Sequence, residues 1–257
     1  MYTVIARKYR PQTFGEVVDQ EHIKQTLRNA IEQNRIAHGY IFSGQRGTGK
    51  TTMARLLAKA LNCARGRSAE PCGQCASCHE IAAGNSVDVI EIDAASNRGI
   101  DEIRALRENV RYAPARDRYK IYIVDEAHQI TRDAWNALLK TLEEPPDNVL
   151  FIFCTTASHA FPATIVSRCQ SFRFHNLGFE QTMAQLRRVC REESIEATDE
   201  ALAVITASSE GSLRDALSAL DQAIACCGRS LDGPAVRGLL GVVSAEVLDA
   251  VLDAVIQ

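Results

Sequence analysis

The sequence has no apolar run that could cross a bilayer: the longest, residues 149–154, is six residues, against about 20 for a spanning helix. Nor do the first residues read as a secretory leader. Residues 1–10 carry Arg7, Lys8 and Arg10, with no apolar stretch or small-residue cleavage site behind them, so cytoplasm is the expected compartment. No charge sign dominates. With Lys plus Arg at 29 and Asp plus Glu at 32, the net charge is −3. That balance excludes whole-molecule attraction to phosphate backbones or anionic membranes, so any nucleic-acid contact must be local or arise by assembly. Internal repeats and low-complexity tracts are missing as well.

What is present is a globular composition. The 257 residues are 46% apolar and 24% charged, which suits one large or two modest domains. Apolar runs at strand spacing alternate with runs at helix spacing from about residue 40 to 174, the pattern of a parallel sheet covered by helices. Strands are predicted at 40–42, 87–92, 120–124, 149–155 and 171–174. Met53, Leu56, Leu57, Ala60 and Leu61 mark one covering helix; Ile103, Leu106 and Val110 mark a second; Trp135, Leu138, Leu139 and Leu142 mark a third. An earlier helix, 20–33, is predicted with Asp19 as its N-cap. After Phe174 the expectation is helices only, at 179–193, 199–207, 212–226, 233–240 and 244–256, with the boundary near 176–178. Residues 66–73 read as the one irregular loop of the first domain.

Gly44-Gln45-Arg46-Gly47-Thr48-Gly49-Lys50-Thr51 fits the phosphate-loop pattern, between a predicted strand and an amphipathic helix. Its glycines let backbone N–H groups turn toward phosphate oxygens at a helix N-terminus. Lys50 adds a full charge near the β and γ positions, Thr51 offers a hydroxyl for Mg²⁺, and Thr52 joins the nucleotide-binding set. The strand at 120–124 ends in Asp125-Glu126. Asp125 suits Mg²⁺ through its water shell, and Glu126 suits polarisation of an attacking water.

Nine cysteines form an odd set. Cys63, Cys72, Cys75 and Cys78 supply four thiolates, enough for a closed, structural tetrahedral Zn²⁺ site. His79 is an adjacent, less suitable ligand, and Arg65 and Arg67 read equally well as solvated charges. Cys154, Cys169, Cys190, Cys226 and Cys227 are expected as small core fillers. Ser212 and Asp215 form an S-x-x-D capping pattern. Arg214 between them opposes the helix dipole, which favours an anion nearby.

Together these residues resemble the gamma/tau family of bacterial DNA polymerase III clamp-loader subunits, AAA+ ATPases. Tyr9-Arg10-Pro11-Gln12-Thr13-Phe14, the phosphate loop, the four-cysteine insert, Asp93-Ala94-Ala95-Ser96-Asn97, Tyr112-Ala113-Pro114-Ala115-Arg116, Asp125-Glu126-Ala127-His128, residues 136–146 and Ser167-Arg168-Cys169 carry the resemblance. It implies an α/β AAA+ P-loop domain over 1–176 with a zinc insert at 63–78, a helical lid over 177–243, and the start of a collar at 244–257, cut short. It implies that ATP or ADP, Mg²⁺ and Zn²⁺ are bound, and that Arg168 reaches the γ-phosphate held by a neighbouring subunit. It implies that Arg214 is a sensor arginine, that Thr156 rather than Thr155 is the first sensor, and that Tyr9, Arg10, Pro11 and Val18 line the adenine pocket.

The implied partners are other loader subunits in a hetero-pentamer, a sliding clamp, and primed DNA gripped by its backbone; the isolated chain is expected to be monomeric and slow. Asp19 stands where the family commonly has Gly, and residues 157–161 lack its usual acid, Pro and Lys. Two other readings are a helicase or different AAA+ remodeller, and a non-hydrolysing zinc-stabilised scaffold. The first lacks further helicase motifs; intact Lys50, Thr51, Asp125 and Glu126 argue against the second.

Overall fold

The structure is a computed structural model in which residues 2–97 and 99–242 are described. In chain order the elements are α1 (Ile5–Lys8), α2 (Glu21–Glu32), β1 (Gly39–Ser43), α3 (Lys50–Asn62), α4 (Ala76–Ala83), β2 (Val89–Asp93), α5 (Ile100–Val110), β3 (Lys120–Asp125) and α6 (Arg132–Glu143). They continue with β4 (Val149–Thr155), α7 (Ala163–Val166), β5 (Gln170–Arg173), α8 (Phe179–Glu192), β6 (Glu196–Ala197), α9 (Asp199–Ser208), α10 (Leu213–Cys227), β7 (Ser230–Leu231) and α11 (Gly233–Leu240). Residues 11–175 form one compact unit; residues 2–10 with 176–242 form the other.

The first unit is a five-stranded parallel sheet in the order β2-β3-β4-β1-β5. Strand alternation sends successive side chains to opposite faces. Tyr40, Phe42, Ile121, Ile123, Leu150 and Ile152 pack with Ile23, Leu27, Met53 and Leu57 from α2 and α3. Ile41, Tyr122, Val124, Phe151 and Phe153 pack on the other face with Ile103, Leu106, Trp135 and Leu138 from α5 and α6. Both faces are covered, which is why these strands read as nearly continuous apolar runs. The five strands match their predicted positions to within about two residues, the usual scatter of element ends.

The expected Asp19 cap is corrected. Asp19 (φ 59°) and Gln20 (φ 63°) are both left-handed, and no side chain caps α2. Gln20, 1% exposed, instead closes a two-bond ring with His175: its Nε2 donates to the carbonyl at 2.7 Å and its Oε1 accepts the N–H at 3.1 Å. Residues 66–73 are irregular, as expected, and α4 follows them without having been anticipated; it is short and buries only Ser77, Cys78 and Ile81, too little to show a helical period.

In the other unit, α8 to α11 enclose a core of Met183, Leu186, Ile205, Leu217, Leu220 and Val236. Ile5 joins that core, and Lys8 and Tyr9 both donate to Glu193 Oε1, at 2.5 and 2.6 Å. The expectation that residues 1–176 form one domain is therefore corrected for residues 2–10. The strand-free expectation is corrected too: β6 and β7 pair in parallel, Glu196 with Ser230 and Ala197 with Leu231, a ladder too short for alternation to reveal. Of the five supposed core cysteines, Cys154 and Cys190 are buried and Cys169 and Cys227 partly so, but Cys226 in the last turn of α10 is exposed. The predicted helix 244–256 lies outside the described residues.

Candidate functional site

The phosphate loop grows from an interior strand of the sheet. β1 is hydrogen-bonded to β4 on one side and β5 on the other, and Gly44 continues the β4 ladder by donating to Thr155 O at 3.2 Å. At φ 151°, a Cβ on Gly44 would stand 2.7 Å from Phe174 O, so only glycine passes between the strands. Gly47 (φ 76°) and Gly49 (φ 97°) then take left-handed conformations, and Gly49 is the residue before α3. Thr48 Oγ1 donates to Gln45 O at 2.8 Å. Lys50 is 7% exposed, and its Nζ donates to Gly44 O at 2.8 Å and Gln45 O at 2.7 Å. Burial pushes its pKa down, against the pull of Glu126 and Asp125 nearby. Gln45 and Arg46 are exposed, while Thr51 and Thr52 are half-buried.

One strand lies between β1 and β3, so the acids that end β3 arrive beside the loop. Thr51 Oγ1 donates to Asp125 Oδ2 at 2.9 Å, and Asp125 Oδ1 accepts the Glu126 N–H at 3.0 Å. Glu126 is left-handed (φ 47°), which breaks the strand and gives its carboxylate a direction different from that of Asp125. Its Oε2 lies 3.4 Å from Thr156 Oγ1 and 3.4 Å from His128 Nδ1. Thr155 is fully buried; its hydroxyl accepts the Ala157 N–H at 3.0 Å and contacts His128 Nδ1 at 3.2 Å. Of the two strand-end threonines, Thr156 is the one that faces Glu126.

The four cysteines converge, with all four Sγ atoms within 4.8 Å of one another. Cys63 follows α3, and Cys75 is the N-cap of α4. Backbone N–H groups point at the sulfurs: Cys72 to Cys63 Sγ at 3.3 Å, Cys75 to Cys72 Sγ at 3.4 Å, and Ala64 and Cys78 to Cys75 Sγ at 3.5 Å each. The amides of Gln74 and Cys75 bring the Cys72 thiol down to about 6. His79 is exposed. Arg65 contacts Gln74 at 3.3 Å and Arg67 lies over the Tyr119 ring at 5.6 Å.

Arg168 is exposed at the end of the segment after α7, and its Nη2 donates to Glu143 Oε1 at 2.6 Å. Arg214 is exposed in the first turn of α10, where Ser212 Oγ accepts the Asp215 N–H at 3.3 Å. Tyr9 and Arg10 belong to the helical unit, Pro11 and Val18 to the sheet unit. Burial and the Glu193 carboxylate raise the Tyr9 pKa.

Residues 19–178 match the family described as DNA polymerase III, delta subunit, and residues 181–229 match the ATPase lid domain of the DNA polymerase III clamp loader subunit. This chain belongs to the DNA polymerase III clamp-loader subunit family. It is 48% identical over 256 residues to DNA polymerase III subunit tau of Escherichia coli K12, covering 100% of this chain and 40% of that protein. To the Bacillus subtilis 168 tau subunit it is 46% identical, over 95% of this chain and 43% of that one. The chain thus spans less than half the length of these relatives. In fold it is similar to Thermotoga maritima RuvB, a Holliday junction branch migration motor, with TM-score 0.66 and 17% identity, over 91% of this chain and 72% of that chain.

The cofactors expected of a clamp-loader subunit with this fold meet suitable donors. A tetrahedral Zn²⁺ with four thiolates needs sulfurs about 3.8 Å apart; Cys72 and Cys78 Sγ are 4.0 Å apart, and the N–H groups aimed at Cys72 and Cys75 favour their thiolates, whereas burial pushes the Cys78 thiol up. The Thr51 hydroxyl and Asp125 carboxylate are the hard oxygen donors that Mg²⁺ takes. Sequence reasoning overlooked Glu143 as the partner of Arg168 and His128 as a neighbour of Glu126. Both stand in quoted motifs, but only the tertiary fold brings residues 143 and 168 together. Among the described residues no helix is long and apolar enough to cross a membrane.

Proposed function

We propose that this chain is the ATP-hydrolysing part of a clamp-loader motor subunit, which loads a sliding clamp onto primed DNA. The observation that carries this reading is the Thr51–Asp125 contact at 2.9 Å with Glu126 one residue on. It brings a phosphate-loop hydroxyl and two acids to one place. The backbone N–H groups of residues 44–50 and the Lys50 ammonium bind the phosphates. Thr51 and Asp125 would hold Mg²⁺, which neutralises charge on the β- and γ-phosphate oxygens. Glu126 accepts a hydrogen bond from the attacking water and orients it in line, and Thr156 fixes the Glu126 carboxylate and the water.

Arg168, exposed on its own subunit, supplies a guanidinium to the ATP of a neighbour, so turnover requires assembly. Arg214 in the helical unit senses the γ-phosphate, and Tyr9, Arg10, Pro11 and Val18 contact the adenine. The helical unit acts as a lid, and residues 244–257 begin the collar. The zinc centre is structural, since four thiolates leave no open position. The partners are the other subunits of a hetero-pentamer, the clamp, and a primed duplex held by its backbone; the compartment is cytoplasm, and the isolated chain is monomeric.

The test uses the full-length subunit assembled with loader partners, clamp and primed DNA. Glu126→Gln should retain ATP binding while stimulated turnover falls at least about 100-fold. Unchanged turnover would remove Glu126 from the mechanism, and failure of clamp and primed DNA to stimulate the wild type would overturn the functional reading.

A further inference from the structure

We propose that Glu143 is a positioning residue that aims Arg168. The inference rests on the reading of Arg168 as the group serving a neighbouring subunit's ATP. An exposed arginine is ordinarily spread over many rotamers, and about 2 kcal/mol of rotamer entropy opposes fixing it. Here three contacts fix it. Nη2 donates to Glu143 Oε1 at 2.6 Å, and Nη1 donates to Thr164 O at 2.6 Å and to Ser167 Oγ at 3.3 Å. Each of those nitrogens carries two N–H groups, so the second N–H of Nη2, together with Nε–H, remains for an anion.

The two shorter anchors stand on elements locked into the sheet unit. Glu143 is the last residue of α6, whose Trp135, Leu138 and Leu142 are buried against the sheet. Thr164 precedes Ile165, which is fully buried in the same cluster. The site of Glu143 is itself informative. A carboxylate in the last turn of a helix opposes the negative end of the dipole, and Glu144 follows directly. The Arg168 guanidinium resolves that conflict. Arg168 and Glu143 side chains are 33% and 46% exposed, a degree of exposure at which an ion pair contributes little to folding stability. Its consequence is therefore sought in turnover.

The experiment compares wild type, Glu143→Ala, Glu143→Gln, Arg168→Ala and the Glu143→Ala/Arg168→Ala double variant, each as full-length subunit in the assembled loader with clamp and primed DNA. Stimulated kcat, ATP Kd and melting temperature are read for each. The expected result is that Arg168→Ala abolishes stimulation, while Glu143→Ala lowers kcat about fivefold with ATP Kd and melting temperature unchanged. Glu143→Gln, which keeps a neutral acceptor, should lose only about twofold, and the double variant should match Arg168→Ala.

If Arg168→Ala is inactive while Glu143→Ala equals or exceeds wild type, the positioning role is overturned and the Arg168 reading stands. A further loss on the Arg168→Ala background, or a loss of ATP affinity or melting temperature in Glu143→Ala, also overturns it, because Glu143 then acts through the fold. Full stimulation in Arg168→Ala overturns the Arg168 reading and the inference together.

Discussion

Asp88 offers the sharpest test of how the insert is tied to the strand that carries the acids. It is 2% exposed just before β2, and its carboxylate accepts three backbone N–H groups: Ala115 on Oδ1 at 2.6 Å, Arg116 on Oδ2 at 2.8 Å and Asp117 on Oδ2 at 2.8 Å. That segment runs directly into β3, and Arg116 forms a bidentate pair with Glu80 of α4, at 2.9 and 2.7 Å. Asp88→Asn replaces one acceptor oxygen with an amide NH₂, so at least one buried N–H faces a donor and the remaining bonds lose charge assistance. An orphaned buried donor costs about 1–3 kcal/mol, and a charged acceptor contributes about twice what a neutral one does. The expected loss is about 2–4 kcal/mol in urea unfolding with an unchanged m-value. The pH dependence is an independent readout. Desolvation raises the Asp88 pKa, but the N–H bonds and Arg116 more than offset it, and the net displacement is downward. The native state then binds the proton less readily than the unfolded chain. The Asp88 contribution is fully present above the unfolded value of about 3.9 and disappears as pH falls through the lower native value. Wild type should lose that stability below about pH 4, and Asp88→Asn should not. A loss under about 1 kcal/mol, or identical acid limbs, refutes the reasoning.

Two further outcomes are expected. Gly44→Ala places a Cβ 2.7 Å from Phe174 O and 2.8 Å from Phe174 Cβ. Unfolding free energy should drop by about 2–3 kcal/mol and ATP affinity with it; an unchanged urea midpoint contradicts the close approach. Cys75→Ser removes both a ligand and the N-cap of α4. Metal analysis should show loss of zinc and hydrogen exchange should accelerate over residues 63–78, while amides of β1, β3 and β4 keep their protection; equal acceleration in those strands would show that the centre holds the whole unit.

Much of the sheet unit was legible because its signals are local. Period-2 or continuous apolar runs marked all five strands, and the phosphate loop declared itself by glycines whose left-handed φ values are their reason for being there. What escaped depended on distance in the sequence. Nothing near Asp19 indicates that Gln20 will satisfy its amide on His175, 155 residues away, which is why a side-chain cap was expected where two left-handed residues stand. The first ten residues were assigned by proximity to the sheet, yet Ile5 finds its apolar partners among Met183, Leu186 and Leu217. α4 buries three residues only, and β6 and β7 pair two residues each, so neither leaves a period to detect. At the site, residue identities were legible but partnerships were not, as with Glu143 beside Arg168.

The polar groups of the phosphate loop satisfy one another, and on the proposed function this shapes what nucleotide binding has to accomplish. Lys50 places its ammonium on two loop carbonyls, and the Thr51 hydroxyl donates to the Asp125 carboxylate. Left unpaired at 7% exposure, that ammonium would be strongly disfavoured and would tend to lose its proton; the two carbonyls keep it charged and hold the glycine turn in shape. On the proposed function, a triphosphate would compete with Gly44 O and Gln45 O for Lys50, and Mg²⁺ would compete with the Thr51–Asp125 bond. Because internal bonds are exchanged for ligand bonds, affinity reflects the difference between the two sets rather than the sum of new contacts. Lys50→Ala would then remove a structural bond to the loop as well as a phosphate partner. Lys50→Met, which keeps the length without the charge, suffers both losses as well, so any difference between it and Lys50→Ala reports only the volume left in the crevice and not the hydrogen bonds.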